Sequence, residues 1–293
     1  MKLLLETLTS GADYLAKRGV EDARLNMEHL LAHVLQCRRL DLYLRFNETL
    51  QEQDLVPLRG LLKRRGEGEP LQHLLGTVEF HGHEFVSDHR ALIPRPETEH
   101  LVGMLTTKMF KTNPPRSVLD VGTGTGCIGL SLAKAWPDAD VTLIDVSEDA
   151  LELARLNAAR LQLPSSKVRF LRSDLFEKVT GEFDLIVANL PYIPSGEIPG
   201  LSREVRRDPL NALDGGDDGL QIIQRLLVEA PSHLTDVGAI ALELHHDQAD
   251  TVSNRLTQLG YKSVESASDL AEIERFVFAT RPERPLSEPT TTE

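Results

Sequence analysis

Residues 117–128 read SVLDVGTGTGCI and decide the fold of the central part of the chain. The apolar run at 118–121 has the length of a strand, and it stops at a turn with glycine at positions 122, 124 and 126. A helical pattern of apolar residues follows from Ile128. Glycine lets the backbone approach a ligand closely, and the free N–H groups at the start of a helix point toward that ligand. The stretch therefore predicts a strand, a glycine turn and a helix beside a ligand.

A second stretch, FDLIVANLPYIP at 183–194, predicts the other half of the same site. An apolar strand at 185–188 ends in an amide, a rigid turn and an aromatic ring, which are Asn189, Leu190, Pro191 and Tyr192. Ligands of open parallel sheets bind at the carboxyl ends of the strands. We therefore expect the first stretch to hold a nucleotide-like cofactor and the second to hold a substrate with a planar polar group.

Strand and helix patterns alternate after the glycine turn, which predicts an α/β domain with a mostly parallel sheet and right-handed crossovers. Further strands are expected at 141–144, 168–171 and 237–244, and helices at 148–161, 220–229 and 246–259. A final pair, 261–264 and 275–279, is expected to close the sheet as an antiparallel hairpin. The loop-rich stretch at 204–220 is long for a compact domain, and such a loop is a candidate cover for the substrate.

The flanking segments predict further parts. Residues 1–75 carry leucines at helical spacing and are interpreted as a small helical bundle that docks the substrate. Residues 76–94 are expected to form a linking β-hairpin, 95–280 the catalytic domain, and 281–293 a disordered tail. Seven basic residues of the bundle form either a partner-docking face or a solvated helix surface: Arg38, Arg39, Arg45, Arg59, Lys63, Arg64 and Arg65.

Charge and cysteine content narrow the class of protein. Residues 1–75 carry 11 basic and 11 acidic side chains, whereas the remainder carries 21 and 34, so the net charge of −13 belongs to the catalytic part. An acidic surface argues against generic nucleic-acid binding, which needs positive charge. The two cysteines, Cys37 and Cys127, fit a reducing cytoplasm, and the apolar runs are too short for membrane spans. We expect a cytoplasmic protein without a membrane partner.

Glycine spacing separates two candidate cofactors. Asp145, 19 residues after Gly126, would hold ribose hydroxyls of either a dinucleotide or S-adenosylmethionine. A dinucleotide fingerprint places its third glycine at the position that Cys127 occupies here, which favours S-adenosylmethionine, a cofactor without phosphate. Asp174 is then expected to accept the adenine amino group, and Leu175 either packs on the adenine ring or belongs to the core.

The residues at 189–192 predict the acceptor and the catalytic groups. The side-chain oxygen of Asn189 and the backbone carbonyl of Leu190 can each accept one hydrogen of an –NH₂ group, while Tyr192 packs on its planar face. Asn189, Pro191 and Tyr192 are therefore the predicted catalytic residues, because methyl transfer from a sulfonium depends mainly on positioning. No metal site is expected, since the five histidines at 73, 81, 83, 89 and 100 lack carboxylate or thiol partners at ligand spacing. Arg95 either begins a helix or roofs the site.

Four segments together resemble the bacterial release factor glutamine methyltransferases: IPRPETEHLV at 93–102, LDVGTGTGCI at 119–128, the motif beginning at Asn189, and EVRRDPLNALDGGDDGL at 204–220. The resemblance implies a class I methyltransferase with a Rossmann-like sheet, and N5-methylation of the glutamine in the Gly-Gly-Gln loop of peptide-chain release factors. It also implies that the glutamine is held by residues 189–192. The cofactor contacts that it implies are Gly122, Thr123, Gly124, Thr125, Gly126, Asp145, the position of Leu175, and Asn189.

The chain departs from this family's pattern at several positions. Leu190 stands where the family usually has proline, Leu175 where an aromatic residue is common, and His245 and His246 where relatives tend to have glycine. Asn-Leu-Pro-Tyr is also how ribosomal RNA adenine dimethyltransferases spell the motif, and adenine N6 offers the same –NH₂ geometry. An adenine-N6 methyltransferase acting on nucleic acid is therefore the alternative hypothesis, against which stand the acidic catalytic part and the PRPETE segment.

Overall fold

The computed structural model describes residues 2–283, which form two compact units. Within that range the helical unit comprises 2–78, 87–89 and 201–208, and the sheet unit comprises 79–86, 90–200 and 209–283. The division does not follow chain order, because two short later segments belong to the helical unit. The predicted domain limits at 75, 94 and 280 stay predictions, and most of the predicted tail lies outside the described residues.

The helical unit is built around buried leucines. Its helices are α1 (Leu4–Lys17), α2 (Ala23–Val34), α3 (Glu52–Gly66) and α4 (Leu71–Leu75), with a 3₁₀ helix at Arg39–Leu44. Two short strands, β1 (Lys2–Leu3) and β2 (Thr49–Leu50), pair antiparallel. The core contains the apolar residues that recur at helical spacing, including Leu30, Leu31, Leu55 and Leu58. Burial of these faces is what stabilises the short helices.

The seven basic residues of the helical unit that the sequence marks as a possible docking face are all paired with carboxylates. The ion pairs are Arg38–Asp41, Arg39–Glu28, Arg45–Glu48, Arg59–Glu52, Lys63–Glu67, Arg64–Glu69 and Arg65–Glu204. Most of them are exposed and therefore contribute little stability each. The pairing favours the interpretation as a solvated helix surface over a face with free positive charge.

A hairpin of β3 (Thr77–Phe80) and β4 (His83–Val86) follows the helices. Its turn residues His81 and Gly82 both have positive φ, 50° and 72°, as a two-residue turn of this kind requires. The inward-facing rings of Phe80 and Phe85 meet edge to face with centroids 5.9 Å apart. The predicted hairpin is confirmed.

The sheet unit has a seven-stranded sheet in the order β10-β11-β9-β8-β5-β6-β7. Strands β5 to β9 run parallel, whereas β11 pairs antiparallel with both β9 and β10, so the predicted α/β fold with a mostly parallel sheet and an antiparallel last strand is confirmed. The strands are β5 (Ser117–Val121), β6 (Asp140–Asp145), β7 (Val168–Arg172), β8 (Phe183–Asn189), β9 (Leu234–Glu243), β10 (Lys262–Ser268) and β11 (Glu274–Thr280). The helices are α5 (Pro96–Met104), α6 (Cys127–Ala135), α7 (Glu148–Arg160), α8 (Gln221–Glu229) and α9 (Ala249–Gln258).

The order of the strands brings the two decisive stretches together. The chain runs from β5 outward through β6 and β7, then returns to place β8 on the other side of β5, which creates a switch point between β5 and β8. In the parallel register Val121 pairs with Ala188, so the glycine turn and Asn189 begin at the same edge of the sheet. Among residues 2–283, no helix combines the length and the apolar character needed to cross a bilayer.

Candidate active site

A cavity of about 1200 Å³ opens at the carboxyl edge of the parallel strands, within the sheet unit. It is large for a ligand pocket, since typical ones enclose roughly 300–1000 Å³. The predicted site residues that line it are Gly122, Thr123, Gly124, Thr125, Asp145, Asp174, Leu175, Asn189, Leu190 and Pro191. Two predicted residues, Gly126 and Tyr192, lie outside the lining. The volume has room for a nucleoside cofactor together with one substrate side chain.

The glycine turn needs glycine for conformation and for space. Gly122 has φ of 70°, and a Cβ there would lie 2.8 Å from Cδ2 of Leu190. Gly126 has φ of 83° and begins α6, where a Cβ would lie 2.7 Å from Cδ1 of Leu130. A Cβ at Gly126 would also meet Ala154 of the neighbouring helix α7. Because Gly126 faces these packed side chains, its role in this structure is to turn the chain.

A buried carboxylate that the sequence analysis does not predict as a site residue hydrogen-bonds the glycine turn. Asp120 is fully buried in β5, and its Oδ2 accepts hydrogen bonds from Oγ1 of Thr123 at 2.5 Å and from the backbone N–H of Gly129 at 2.9 Å. Burial raises the pKa of Asp120 to about 6. An acidic residue inside an otherwise apolar strand was the available signal, because such a group is buried only when it is hydrogen-bonded.

Asp145 ends β6 and is positioned by backbone donors. Its Oδ2 accepts from the N–H of Gly124 and its Oδ1 from the N–H of Ser147, each at 2.9 Å. Burial raises its pKa above the usual carboxyl range. Each carboxylate oxygen has a further lone pair, so a rigidly held Asp145 can still accept hydrogen bonds from a pair of hydroxyl groups in the cavity.

Asp174 and Leu175 follow β7 and line the same cavity. Oδ1 of Asp174 lies 3.2 Å from Nη2 of Arg225, a residue of α8 that the sequence reasoning did not select. Leu175 adopts a left-handed conformation, with φ of 44°, and belongs to the main hydrophobic core while also lining the cavity. The expected core packing of Leu175 is confirmed, and packing of its side chain on an adenine ring stays a prediction.

Asn189 is held by two side chains from distant parts of the sequence. Its Nδ2 donates to Oγ1 of Thr98 at 2.9 Å, and the side chains of Thr98 and Asn189 both lie close enough to the carboxylate of Glu243 to lower its pKa. Glu243 ends β9 directly beside Asn189 in the register and is only 2% exposed. Burial raises the pKa of Glu243 to about 7. We call these three residues the Thr98–Asn189–Glu243 cluster.

Tyr192 is half-buried and packs against the main hydrophobic core, outside the cavity lining. Its ring centroid lies 5.9 Å from that of His245, and its carbonyl accepts a hydrogen bond from Nε2 of Gln248 at 2.9 Å. Burial raises the pKa of the Tyr192 hydroxyl well above its usual value. Contact between this ring and a substrate stays a prediction. His245, His246 and Asp247 lie near enough to one another to share an ion, and both His246 and Asp247 are exposed.

The segment before α5 and the loop after β8 complete the wall. Pro96 begins α5 with Glu97 and Glu99 in its first turn, which confirms the predicted helix start, and Arg95 lines the cavity as well. In the loop, Asp214 accepts from Oγ of Ser195 at 2.6 Å, and residues 209–212 line the cavity. The predicted covering loop is thus part of the wall from residue 209 onward.

Two family models match the chain. The PrmC N-terminal domain matches residues 6–76, and the methyltransferase small domain matches residues 98–199. A release factor glutamine methyltransferase of Rhodopirellula baltica is 40% identical over 94% of this chain and 94% of its own length. The chain belongs to the release factor glutamine methyltransferases. A second member of the family, from Geobacter sulfurreducens, is 40% identical over 90% of this chain and 92% of its own length.

A solved structure supports the fold of this release factor glutamine methyltransferase family member. The 16S rRNA N2 G1207 methyltransferase of Thermus thermophilus, in complex with AdoMet and guanosine, has a TM-score of 0.51 and 20% identity. It covers 70% of this chain and 49% of its own. In this family member, the side chain of Leu190 packs over Gly122, and Leu190 also lines the cavity.

Proposed function

We propose that this protein transfers a methyl group from S-adenosylmethionine to the side-chain amide nitrogen of the glutamine in the Gly-Gly-Gln loop of peptide-chain release factors. The observation that carries the proposal is the Asn189 carboxamide at the edge of the cavity beside the glycine turn, in a chain 40% identical to a named member of the family over nearly its full length. Release factors act on ribosomes, so we expect the protein to work in the cytoplasm.

The cavity offers space, hydrogen-bond acceptors and an apolar surface that fit S-adenosylmethionine. Gly124 leaves space for a ligand, since a Cβ there would approach only Ala91, at 3.7 Å. Asp145 offers carboxylate oxygens for ribose hydroxyls, and Leu175 offers an apolar surface for a purine. The turn contains no lysine or arginine, as fits a cofactor without phosphate. When bound there, S-adenosylmethionine supplies an electrophilic methyl group on a sulfonium.

The chain's own residues orient the acceptor nitrogen. Oδ1 of Asn189 and the carbonyl of Leu190 each accept one hydrogen of the glutamine –NH₂, which fixes the plane of the amide. With S-adenosylmethionine bound, the nitrogen would supply the electron pair of the new N–C bond, the pair of the broken S–C bond would stay on sulfur, and one N–H proton would pass to water. Because the reacting atoms need mainly to be aligned, rigid acceptors account for much of the rate enhancement.

Charge at the cavity favours a protein substrate over a nucleic acid. The charged residues of the lining are five aspartates and three arginines: Asp145, Asp174, Asp214, Asp217 and Asp218, with Arg90, Arg95 and Arg225. A phosphate backbone entering this cavity would meet more negative than positive charge. Methylation of adenine N6 in nucleic acid is therefore the less favoured function, and the experiment below distinguishes it from methylation of a release factor.

The proposal is tested by incubating the full protein with S-adenosylmethionine and an intact release factor, then mapping modified peptides by mass spectrometry. One methyl group on the Gly-Gly-Gln glutamine, absent with Asn189→Ala, is the expected result. Ribosomal RNA is assayed in parallel at low and high salt. Methylated adenine in the RNA, with an unmodified release factor, would establish the alternative instead.

A further inference from the structure

Glu243 has no place in the cavity lining, yet its carboxylate lies beside the residue on which the proposed chemistry depends. The side chains of Thr98 and Asn189 both lie close enough to it to lower its pKa, and its Oε2 has no hydrogen-bond partner among residues 2–283. The nearby Arg275 side chain pairs with Asp269 at 2.6 Å. A carboxylate this deeply buried carries a large desolvation penalty, which is tolerated where the group has a specific task.

An asparagine side chain can be inserted in two orientations related by a half-turn. With Nδ2 toward Thr98 and Glu243, both neighbours can accept hydrogen bonds from its N–H groups, since the Thr98 hydroxyl can donate its own hydrogen to the carboxylate. In the opposite orientation Oδ1 would face the carboxylate, and two acceptors would meet without a proton between them. The opposite orientation would also turn two N–H donors toward the cavity, where they would repel the –NH₂ of a substrate.

We propose that Glu243 is a positioning residue that fixes the orientation of the Asn189 carboxamide, so that the oxygen faces the acceptor –NH₂ and the nitrogen faces away. The inference rests on the proposed function for its catalytic consequence, but the orientation itself is a property of the free protein. Thr98 supports the same orientation. When its hydroxyl hydrogen points to Glu243, its oxygen can only accept a hydrogen bond from Asn189.

The protonation state of Glu243 decides whether the orientation is enforced. A protonated carboxyl can donate to Oδ1 and so tolerates the opposite orientation, whereas the carboxylate excludes it. The groups that face Glu243 electrostatically are Glu97, which raises its pKa, Arg275, which lowers it, and the half-buried Tyr192 and the buried Cys127. Since its pKa is raised to about 7, Glu243 is expected to lose its proton across neutral pH.

The first test needs no substrate. The side-chain ¹H–¹⁵N signals of Asn189, assigned by their loss in Asn189→Ser, are followed in the free 32.6 kDa protein as the pH is changed. Two hydrogen-bonded N–H signals that titrate with an apparent pKa near that of Glu243, and stop titrating in Glu243→Gln, are expected. Signals at the positions of a solvated amide, indifferent to Glu243→Gln, would overturn the inference.

The second test separates positioning from docking. Glu243→Gln keeps the shape but can serve either orientation, so we expect kcat to fall about tenfold, because charge-assisted hydrogen bonds are roughly twice as strong as neutral ones. KM for the release factor should stay within about twofold, since the rest of the protein surface sets it. The dissociation constant of S-adenosylmethionine should also be unchanged, because Glu243 does not line the cavity.

The pH profile distinguishes this role from a structural one. In the wild type, kcat is expected to rise with pH through the titration of Glu243, and in Glu243→Gln it should be low and flat. Thr98→Val should reproduce the loss and Thr98→Ser should restore most of it, while the exposed Glu265→Gln serves as the matched control. Wild-type kcat in Glu243→Gln would overturn the inference, whereas an inactive wild type with the expected Asn189 signals would overturn only the proposed function.

Discussion

Replacing Asn157 tests whether a buried amide holds the cofactor side of the site together. Asn157 lies in α7 and is fully buried. Its Oδ1 accepts from the N–H of Val86 at 2.7 Å, while its Nδ2 donates to the carbonyls of Val86 at 3.1 Å and Thr125 at 2.9 Å. One side chain thus fastens both the hairpin strand β4 and the glycine turn to the helix.

Asn157→Ala would leave three backbone groups without partners, one N–H and two carbonyls. Each unsatisfied buried group costs about 1–3 kcal/mol, and partial entry of water into the vacated space reduces the sum. We expect the free energy of unfolding to fall by about 3–5 kcal/mol. Because Thr125 lines the cavity, the loosened turn should also weaken S-adenosylmethionine binding about tenfold, or about 1.4 kcal/mol.

Urea unfolding gives the stability difference, and calorimetric titration of the folded protein gives the cofactor affinity. Asn254→Ala is the matched control, since Asn254 is exposed on α9, and it should change stability by less than about 0.5 kcal/mol. A loss below about 1 kcal/mol in Asn157→Ala, with unchanged cofactor affinity, would show that the turn is held by its own backbone contacts and would refute the reasoning.

Three further predictions follow from single contacts. Asn189→Ala should abolish methyl transfer, measured with a radiolabelled methyl donor, while thermal unfolding stays within a few degrees of wild type; substantial activity would disprove the role of its oxygen. Gly122→Ala should weaken S-adenosylmethionine binding at least tenfold in titrations, because the left-handed backbone and the 2.8 Å approach to Leu190 both oppose a Cβ; wild-type affinity would show that the turn can shift. Burial raises the pKa of Cys127 to about 12, so a thiol reagent at about pH 8 should label the half-buried Cys37 first and Cys127, which lines the cavity, far more slowly; equally rapid labelling of both would contradict the packing.

The sequence was sufficient for the architecture of the sheet unit. Alternation of apolar runs with helical patterns predicts parallel pairing, and the glycine turn together with the motif at Asn189 marks the two strands at the switch point. These features are local, since each is expressed within about a dozen residues. Strand limits differ by a few residues, as for β10 (Lys262–Ser268), because edge residues such as Glu265 carry no apolar signal.

The polar contacts that organise the site could not be predicted from local sequence patterns. Thr98, Asn189 and Glu243 lie far apart in the chain, and their meeting depends on strand register and on the placement of α5. Arg225 of α8 likewise pairs with Asp174 only through the tertiary fold, because the two residues lie far apart in the sequence. A buried polar residue has the same letter as an exposed one, so periodicity alone does not distinguish them.

The stretch at 204–220 shows how a segment can have two roles. We predicted a loop over the substrate, and residues from Pro209 onward do line the cavity. The preceding residues instead belong to the helical unit, where Glu204 lies 2.5 Å from the buried guanidinium of Arg65. Nothing in the local composition separates these halves, because both are polar and lack regular periodicity.

The membership of residues 201–208 in the helical unit has a consequence for biosynthesis. Arg65 is 3% exposed, and its partner Glu204 is translated about 140 residues later. At the usual elongation rate of about 5–20 residues per second, the early helices wait roughly 7–28 seconds before that carboxylate has been made. Chaperones that bind nascent chains would therefore meet an incomplete amino-terminal bundle, and ribosome profiling of chaperone-bound chains should show release only after this segment has emerged.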